Sequence, residues 1–128
     1  MKPAGLLLIL VTVLAAPSAE AGVCMQSNTD GAVAEGRLSS GQFQDAAGRP
    51  EQAYILTLPT PVCLSGEDEL DNVDDARTLH IFAIDDDLHA RIEAFVGKDV
   101  QVRGTPIPAH TVHHHAPIVM SITEIDEP

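Results

Sequence analysis

One helical segment lies among short alternating segments, and this order constrains the fold more than any other feature of the sequence. The apolar positions of the helical segment recur at helical spacing: Leu88, Ile92, Phe95 and Val96. Asp85 or Asp86 is the expected N-cap, and Gly97 is the expected C-cap. We therefore predict a single helix that begins after one of these two aspartates, covers residues 88–96 and ends at Gly97.

The segments around the helix alternate apolar and polar residues, which is typical of β-strands. The predicted strands cover residues 33–38, 53–58, 78–84, 99–104 and 118–123. Residues 39–50 are expected to form a turn-rich connection, and residues 67–75 an acidic loop. Pro59 and Pro61 predict an extended, edge-like path to Cys63, because proline cannot donate to a central strand.

This order of elements predicts the fold class. Short antiparallel strands have edges that must be hidden, and closure into a barrel hides them. Three strands, a helix and two further strands follow one another in the OB-fold. We predict a mainly β chain that forms a small OB-fold-like five-stranded barrel, with one helix between strands 3 and 4. In that fold, the connection between the last two strands flanks the usual ligand face.

The first residues have the pattern of an export signal. Lys2 supplies a positive start, residues 6–14 are apolar apart from Thr12, and Ala19-Glu20-Ala21 is a small-x-small cleavage pattern. The apolar run is much shorter than the roughly 20 residues of a membrane span. We predict a signal peptide over residues 1–21, a single barrel domain over residues 22–128, no membrane span after signal removal, and a periplasmic or secreted location.

Two cysteines, Cys24 and Cys63, remain in the predicted mature chain. An even number of cysteines in an exported chain indicates a disulfide, and the predicted Cys24–Cys63 bond would contribute about 3–4 kcal/mol. Two alternatives stay open, namely a pair of buried thiols and lipidation of Cys24. The sequence has no C-x-x-C motif, which argues against a redox-active pair.

The charge of the chain limits its partners. The net charge is −12, and removal of Lys2 and Glu20 with the signal leaves it unchanged, because the two charges cancel. Such a field repels a phosphate backbone, so no nucleic-acid partner is expected. The sequence has no H-E-x-x-H, G-x-S-x-G or P-loop motif, and we expect a protein that is not an enzyme.

Any chemistry of the chain is expected at a histidine cluster between the last two predicted strands: His110, His113, His114 and His115. Three interpretations stay open. The imidazoles are metal ligands, with zinc, copper or nickel as candidates and His80 or His89 as additional ligands. Alternatively, they fix a proline-containing loop by hydrogen bonds. In the third interpretation they form an interaction surface that responds to pH, because imidazole titrates near neutral pH.

Two motifs carry a resemblance to a known family. The segment 58–63 reads Leu-Pro-Thr-Pro-Val-Cys, and Gly104-Thr105 is followed by Ala-His-Thr-Val-His-His-His at residues 109–115. Together they resemble an uncharacterised family of secreted bacterial domains, over residues 53–125. Val112 and Ala116 depart from the pattern of that family. The resemblance implies a periplasmic or secreted barrel and implies no substrate.

The sequence therefore predicts an exported binding or accessory domain whose partner is an unidentified protein or small ligand. Zinc or copper is the candidate cofactor. The alternative is a periplasmic transition-metal-binding protein that uses the four clustered histidines.

Overall fold

The structure is a computed structural model, and it describes residues 4–5, 9–12 and 24–128. The predicted signal peptide and its cleavage after Ala21 therefore lie largely outside the described residues. Within the described part, no helix is long and apolar enough to span a membrane.

Residues 24–128 form six strands, one short 3-10 helix and one α-helix. The strands are β1 (Met25–Gln26), β2 (Ala32–Gln44), β3 (Pro50–Ser65), β4 (Val73–Phe82), β5 (Asp99–Pro108) and β6 (Ile118–Asp126). The α-helix α1 (Asp86–Phe95) lies between β4 and β5, and the 3-10 helix (Glu69–Asp71) precedes β4.

The five long strands close into a barrel. β2 pairs with β3, β3 with β4, β5 with β6 and β2 with β5, all antiparallel. A parallel pairing of β4 with β6 closes the ring. The predicted OB-fold-like barrel is therefore confirmed. The helix follows the third long strand, and only the two-residue β1 changes the count, so that the helix follows the fourth strand of the chain.

Two predicted loops are partly strands. Residues 39–50 were expected to be a connection, but β2 continues to Gln44 and β3 begins at Pro50. Continuous pairing from Arg37 opposite Thr57 to Gln44 opposite Pro50 overrides the glycine and serine content of this stretch. The acidic stretch also ends earlier than expected, because β4 begins at Val73. Its acids Asp74 and Asp75 are exposed, whereas Ala76 is buried in the core.

The turn between β2 and β3 is compact, and one side chain holds it. Asp45 Oδ1 accepts hydrogen bonds from the backbone N–H groups of Ala47 and Arg49, both at 2.9 Å. Gly48 has a φ of 76°, which glycine adopts without strain. Residues 45–49 therefore form a tight hairpin turn at the end of two long strands.

The predicted helix is confirmed, and its caps follow from the sequence. Asp85 Oδ1 accepts a hydrogen bond from the Leu88 N–H at 3.0 Å, and Gly97 has a φ of 88° after the last turn. Ile92 is buried in the barrel core. Tyr54 donates its hydroxyl to Glu93 at 2.9 Å, and burial together with this carboxylate raises the pKa of Tyr54 to about 12.

The barrel interior is apolar, and no buried residue in the described part of the chain is polar or charged. The two strands β5 and β6 approach closely at a register shift between Arg103 and Gly104. A Cβ atom on Gly104 would collide with the carbonyl oxygen of Ser121, so only glycine fits there. The core cluster consists of Ala34, Leu38, Tyr54, Leu56, Leu58, Leu64, Ala76, Leu79, Ile81, Ile92, Val100, Val102, Ile118, Met120, Ile122 and Ile125.

A disulfide joins Cys24 to Cys63, with Cα atoms 4.6 Å apart. It fixes β1 to the end of β3, where Met25 pairs with Leu64. The two alternatives for these cysteines, free buried thiols and lipidation of Cys24, do not agree with this bond. The bond closes a loop with a sequence separation of 39 residues and links the first described strand to the barrel.

Candidate functional site

The histidine cluster covers part of the outer surface of the barrel. Directly opposed residues of paired strands point to the same face of a sheet. His80 on β4 is opposite Ile55 on β3 and opposite Val119 on β6. The adjacent positions Leu79 and Ile81 belong to the core cluster, so His80 points outwards. Val119 is nevertheless 0% exposed, and the connection between β5 and β6 lies over this side of the barrel.

That connection, residues 109–117, is the histidine loop. Its ends are joined by a hydrogen bond from the Ala109 N–H to the Pro117 carbonyl, at 3.0 Å. A turn within it is formed by Thr111, whose carbonyl accepts from the His114 N–H at 3.1 Å and whose hydroxyl accepts from the His113 N–H at 3.2 Å. The loop is thus closed at its base and turned back on itself.

Three rings stack beneath the loop. The His115 ring lies 4.2 Å from the Phe43 ring at an interplanar angle of 12°, and 5.7 Å from the His80 ring at 27°. Gly41 makes room for this stack, because a Cβ atom there would lie 2.7 Å from the Phe43 ring. Aromatic pairs of this kind are worth about 0.5–1.5 kcal/mol beyond their buried area. The side chain of His115 is only 9% exposed in this stack, compared with 60% for His113.

Glu51 connects the loop to the hairpin of β2 and β3. Its Oε1 lies 2.6 Å from His113 Nδ1, and its Oε2 lies 2.9 Å from His115 Nε2. Glu51 is opposite Phe43 in the hairpin, so the carboxylate and the stacked ring lie on the same face. One carboxylate thus binds two imidazoles, while the aromatic ring beside it stacks on one of them.

The hydrogen bonds define the tautomers of the neutral imidazoles. His80 Nδ1 accepts from the His115 N–H at 3.2 Å, and His114 Nδ1 accepts from the His110 N–H at 3.0 Å. An accepting Nδ1 requires the proton on Nε2. By contrast, His110 Nδ1 lies 3.2 Å from the carbonyl oxygen of Pro108 and donates to it. His113 Nδ1 likewise donates to Glu51, so the neutral tautomers of His110 and His113 that fit these contacts have their acceptor nitrogen at Nε2.

The electrostatics of the cluster favour neutral imidazoles at two positions. Burial lowers the pKa of His80, and the nearby rings of His115 and His114 lower it further, against the opposing effect of Glu51. Burial also lowers the pKa of His114, followed by the effects of His110, His113 and His115.

The carboxylate at the centre of the cluster stays ionised. The hydrogen bond from His115 is the main cause that lowers the pKa of Glu51, and His113 adds to it, although burial works in the opposite direction. The arrangement can therefore hold a carboxylate anion between imidazole donors near neutral pH.

The structure brings all four predicted residues of the cluster into one loop but does not converge them on one point. The His110 and His114 rings meet edge to face at 4.7 Å, while His113 and His115 turn towards Glu51. Among residues 4–5, 9–12 and 24–128, no group of three or more His, Cys, Asp or Glu side chains could hold a metal ion as placed. His80 joins the cluster, whereas His89 lies on α1 beside Tyr54 and Glu93.

Sequence reasoning missed two members of the site, Phe43 and Glu51. Phe43 lies in the stretch 39–50 that was expected to be a connection, and Glu51 lies between that stretch and the predicted strand 53–58, more than 60 residues from its imidazole partners. A longer β2–β3 hairpin would have placed them on one face by alternation. The chain has only four Phe, Tyr and Trp residues, and this scarcity is a signal that could have singled out Phe43 as a candidate site residue.

The second half of the barrel is similar to a known family. Residues 78–126 match the model of a domain of unknown function, DUF4431. The DUF4431 match includes the second half of β4, and all of α1, β5, the histidine loop and β6. It excludes Phe43 and Glu51, as well as the segment 58–63 that contains the proline-cysteine motif. Comparison with curated proteins and with solved structures finds no match.

Proposed function

We propose that the chain is exported and acts as a small binding or accessory domain, rather than as an enzyme, for a protein or small-molecule ligand. OB-folds bind ligands on their second and third barrel strands, between the loops that join strands 1–2 and strands 4–5. Here the corresponding strands are β3 and β4, and the loops are the hairpin turn 45–49 and the histidine loop. The candidate binding face lies between these two loops.

The single observation that carries this proposal is the bridge from Glu51 to His113 and His115. It joins the strand that follows the hairpin turn to the loop on the opposite side of the face, with contacts of 2.6 and 2.9 Å. A rim that is fixed before a ligand arrives loses less conformational entropy on binding. The histidines thus have a structural role and also form part of the interaction surface.

Export is supported by two independent features. The first residues have the composition of a signal peptide, and the Cys24–Cys63 bond is of a kind that persists in oxidising compartments. The expected product is a periplasmic or secreted chain that begins at Gly22. Mass spectrometry of the envelope and culture fractions tests this: an intact residue 1, or reduced cysteines in the isolated protein, would contradict it.

Site-specific photo-crosslinking tests the binding role. A photo-reactive residue at Val112, which is 57% exposed at the tip of the histidine loop, should capture a discrete partner in the native envelope. The matched control is Leu70, another exposed apolar residue, in the 3-10 helix before β4. A product that forms equally from both positions, or from neither, would argue against a binding face beside the loop.

Metal binding by His110, His113, His114 and His115 is the second candidate function. The contact of Glu51 with His113 supports it. A histidine that binds a metal through Nε2 commonly donates its Nδ1–H to a carboxylate, which orients the ring. The contact of His110 Nδ1 with the Pro108 carbonyl likewise leaves Nε2 as the nitrogen of the neutral ring that can bind a metal. Zinc or copper would then have to draw further loop histidines towards these two nitrogens.

Calorimetric titration of zinc and copper separates the two functions. Saturable binding of one ion, tighter than about 1 μM and lost in His113→Ala and His115→Ala, supports the metal site. His89→Ala is the control, since that imidazole lies on α1. Thermal destabilisation of the two loop variants in chelator-treated protein, without any titratable metal, supports the structural role instead.

A further inference from the structure

The edge of β6 is open over its second half. β4 pairs with β6 only as far as Phe82 opposite Ser121, whereas β6 continues to Asp126 beside β5. Within the described chain, residues 122–126 therefore have no strand on the side from which β4 has departed. A strand edge that no other strand pairs with presents backbone donors and acceptors to an extended chain that fits beside it.

A groove runs along this edge, between β6 and α1. Its upper part is lined by Ile84, Leu88 and residues 121–123, and its lower part continues past Arg91 to Asp126. Ile84 is 86% exposed although it is a large apolar residue. An apolar side chain from a partner would cover Ile84 and Leu88, which gives the groove a place for side-chain burial as well as for backbone contacts.

One edge acceptor is already used by a side chain. Arg91 donates from Nη2 to the carbonyl oxygen of Ile125 at 3.0 Å and to Asp126 at 3.3 Å. This contact indicates that the Ile125 carbonyl points into the groove rather than towards β5. A long, half-exposed arginine can swing away, so a backbone N–H of an incoming strand can take its place.

The charges around the groove define the partner. Its lower part is lined by four carboxylates, those of Asp85, Asp87, Glu124 and Asp126, and by the guanidinium of Arg91, while Arg103 pairs with Glu124 at 3.5 Å, so that the carboxylates outnumber the guanidinium groups by two. An acidic rim attracts lysine and arginine side chains and repels acidic ones. A second copy of this chain is a poor occupant, since each copy has a net charge of −12.

We propose that this groove binds an extended, basic segment of a partner protein, which adds to β6 as a short strand parallel to it. The backbone of the segment pairs with residues 122–126, an apolar side chain covers Ile84 and Leu88, and flanking basic side chains contact the acidic rim. This site lies apart from the histidine loop. A result that contradicts the binding face beside the histidine loop would leave this second site unaffected.

The test uses a synthetic peptide in which lysine and valine alternate, titrated into the isotope-labelled mature protein and followed by NMR. A peptide of alternating glutamate and valine is the control probe. The expected result is a set of shifted amide signals confined to α1 and residues 121–126, with cross-strand contacts from the peptide to Thr123 or Ile125. Shifts confined to residues 67–75, or self-association in place of peptide binding, would overturn the proposal.

Matched charge variants distinguish peptide binding in the groove from non-specific attraction of a basic peptide to an acidic protein. Asp87→Lys with Glu124→Lys should weaken peptide binding at least about tenfold, because both carboxylates line the groove. Asp74→Lys with Asp75→Lys makes the same change in net charge on β4, outside the lining of the groove, and should weaken it by no more than about threefold. Equal losses in both pairs would show that binding depends only on net charge and would refute the site.

A third variant tests the apolar part of the groove, at Ile84 and Leu88, without a change in charge. Ile84→Ser should weaken binding about tenfold, because the side chain is exposed in the free protein and covered in the complex. Its exposure also means that the substitution should leave the thermal midpoint of the free protein unchanged. Unaltered peptide affinity in this variant would contradict the proposed position of the peptide.

Discussion

Leu79 and His80 are neighbours on β4, yet they belong to two regions that are stabilised in different ways. Leu79 points into the barrel, is 0% exposed, and is opposite Leu56 on β3 and Ile118 on β6. His80 points outwards and is covered by the rings of the histidine loop. Among the described residues, the buried side chains of the interior are hydrophobic, including Tyr54 with its hydroxyl bonded to Glu93, whereas the covered outer face contains imidazoles, a phenyl ring and a carboxylate.

This difference has a physical consequence. Burial of apolar area is non-directional and does not depend on the protonation of any group. The contacts under the histidine loop depend on ring orientation and on which imidazole nitrogen has the proton. We therefore expect the interior to determine whether the chain folds, and the outer face to determine how the loop is held at a given pH.

Removal of the disulfide should give the largest effect and should act on both regions together. With the 39-residue separation of Cys24 and Cys63, the chain-entropy relation gives a loss of about 4 kcal/mol for the double variant Cys24→Ser with Cys63→Ser. Denaturant unfolding measures this loss. Because no imidazole takes part, the same loss is expected at neutral and at mildly acidic pH, and a strongly pH-dependent loss would mean that the two regions are coupled.

Truncation of Leu79 should destabilise the interior by about 3 kcal/mol, since Leu→Ala leaves a cavity in a closely packed core. His80→Asn is the matched control on the same strand, because it keeps a hydrogen-bond acceptor near the former position of Nδ1. Its cost should be clearly smaller in denaturant unfolding. If the outward variant costs as much as the inward one, the outer face is an integral part of the core.

The two regions also differ in how far the sequence predicts them. The helix, its Asp85 cap and the alternation of β5 are local patterns, so they can be read from the residues themselves. Barrel closure followed from the order of the elements. The histidines could be located in a connection between strands, but their partners could not, because Glu51 and Phe43 come from a hairpin far away in sequence.

The reason for that failure is specific. Alternation weakens wherever small or polar residues fill a strand, and the stretch around Gly41 reads as a turn although it pairs continuously with β3. Once β2 is cut short at Leu38, the register that sets Phe43 opposite Glu51 is lost. Tertiary pairing, which the local sequence does not encode, decides the composition of this site.

Removal of the Phe43 ring should have a smaller effect, of about 1 kcal/mol, because it deletes one stacked pair. The control is Phe82→Leu, which shortens an exposed aromatic residue at the end of β4. Thermal unfolding compares the two variants, and the imidazole proton signals of His115 should lose their ring-current shift only in Phe43→Leu. An equal change in both variants would show that the stack contributes nothing of its own.

The smallest effect that we expect is a pH dependence of stability that originates under the loop. The pKa values of His80 and His114 are lowered in the folded chain relative to 6.5, so the unfolded chain binds more protons in that range. The stability that these two histidines contribute is present in full above pH 6.5. It is lost as the pH falls towards their lowered pKa values in the folded chain. Glu51 acts in a separate window, because its folded pKa lies below 4.5, and its contribution is lost only as the pH falls through that lower value.

Denaturant unfolding as a function of pH, in the presence of a chelator, measures this dependence. Protonation at Nδ1 also removes the acceptors of the His115 and His110 backbone N–H groups, which should loosen the loop in the same pH range. The double variant His80→Asn with His114→Asn retains acceptors that do not titrate, and it should flatten the slope just below pH 6.5. His89→Asn should keep the slope, since that ring lies on α1. A slope that survives in the double variant would assign the acid sensitivity to groups other than His80 and His114 and would contradict this prediction.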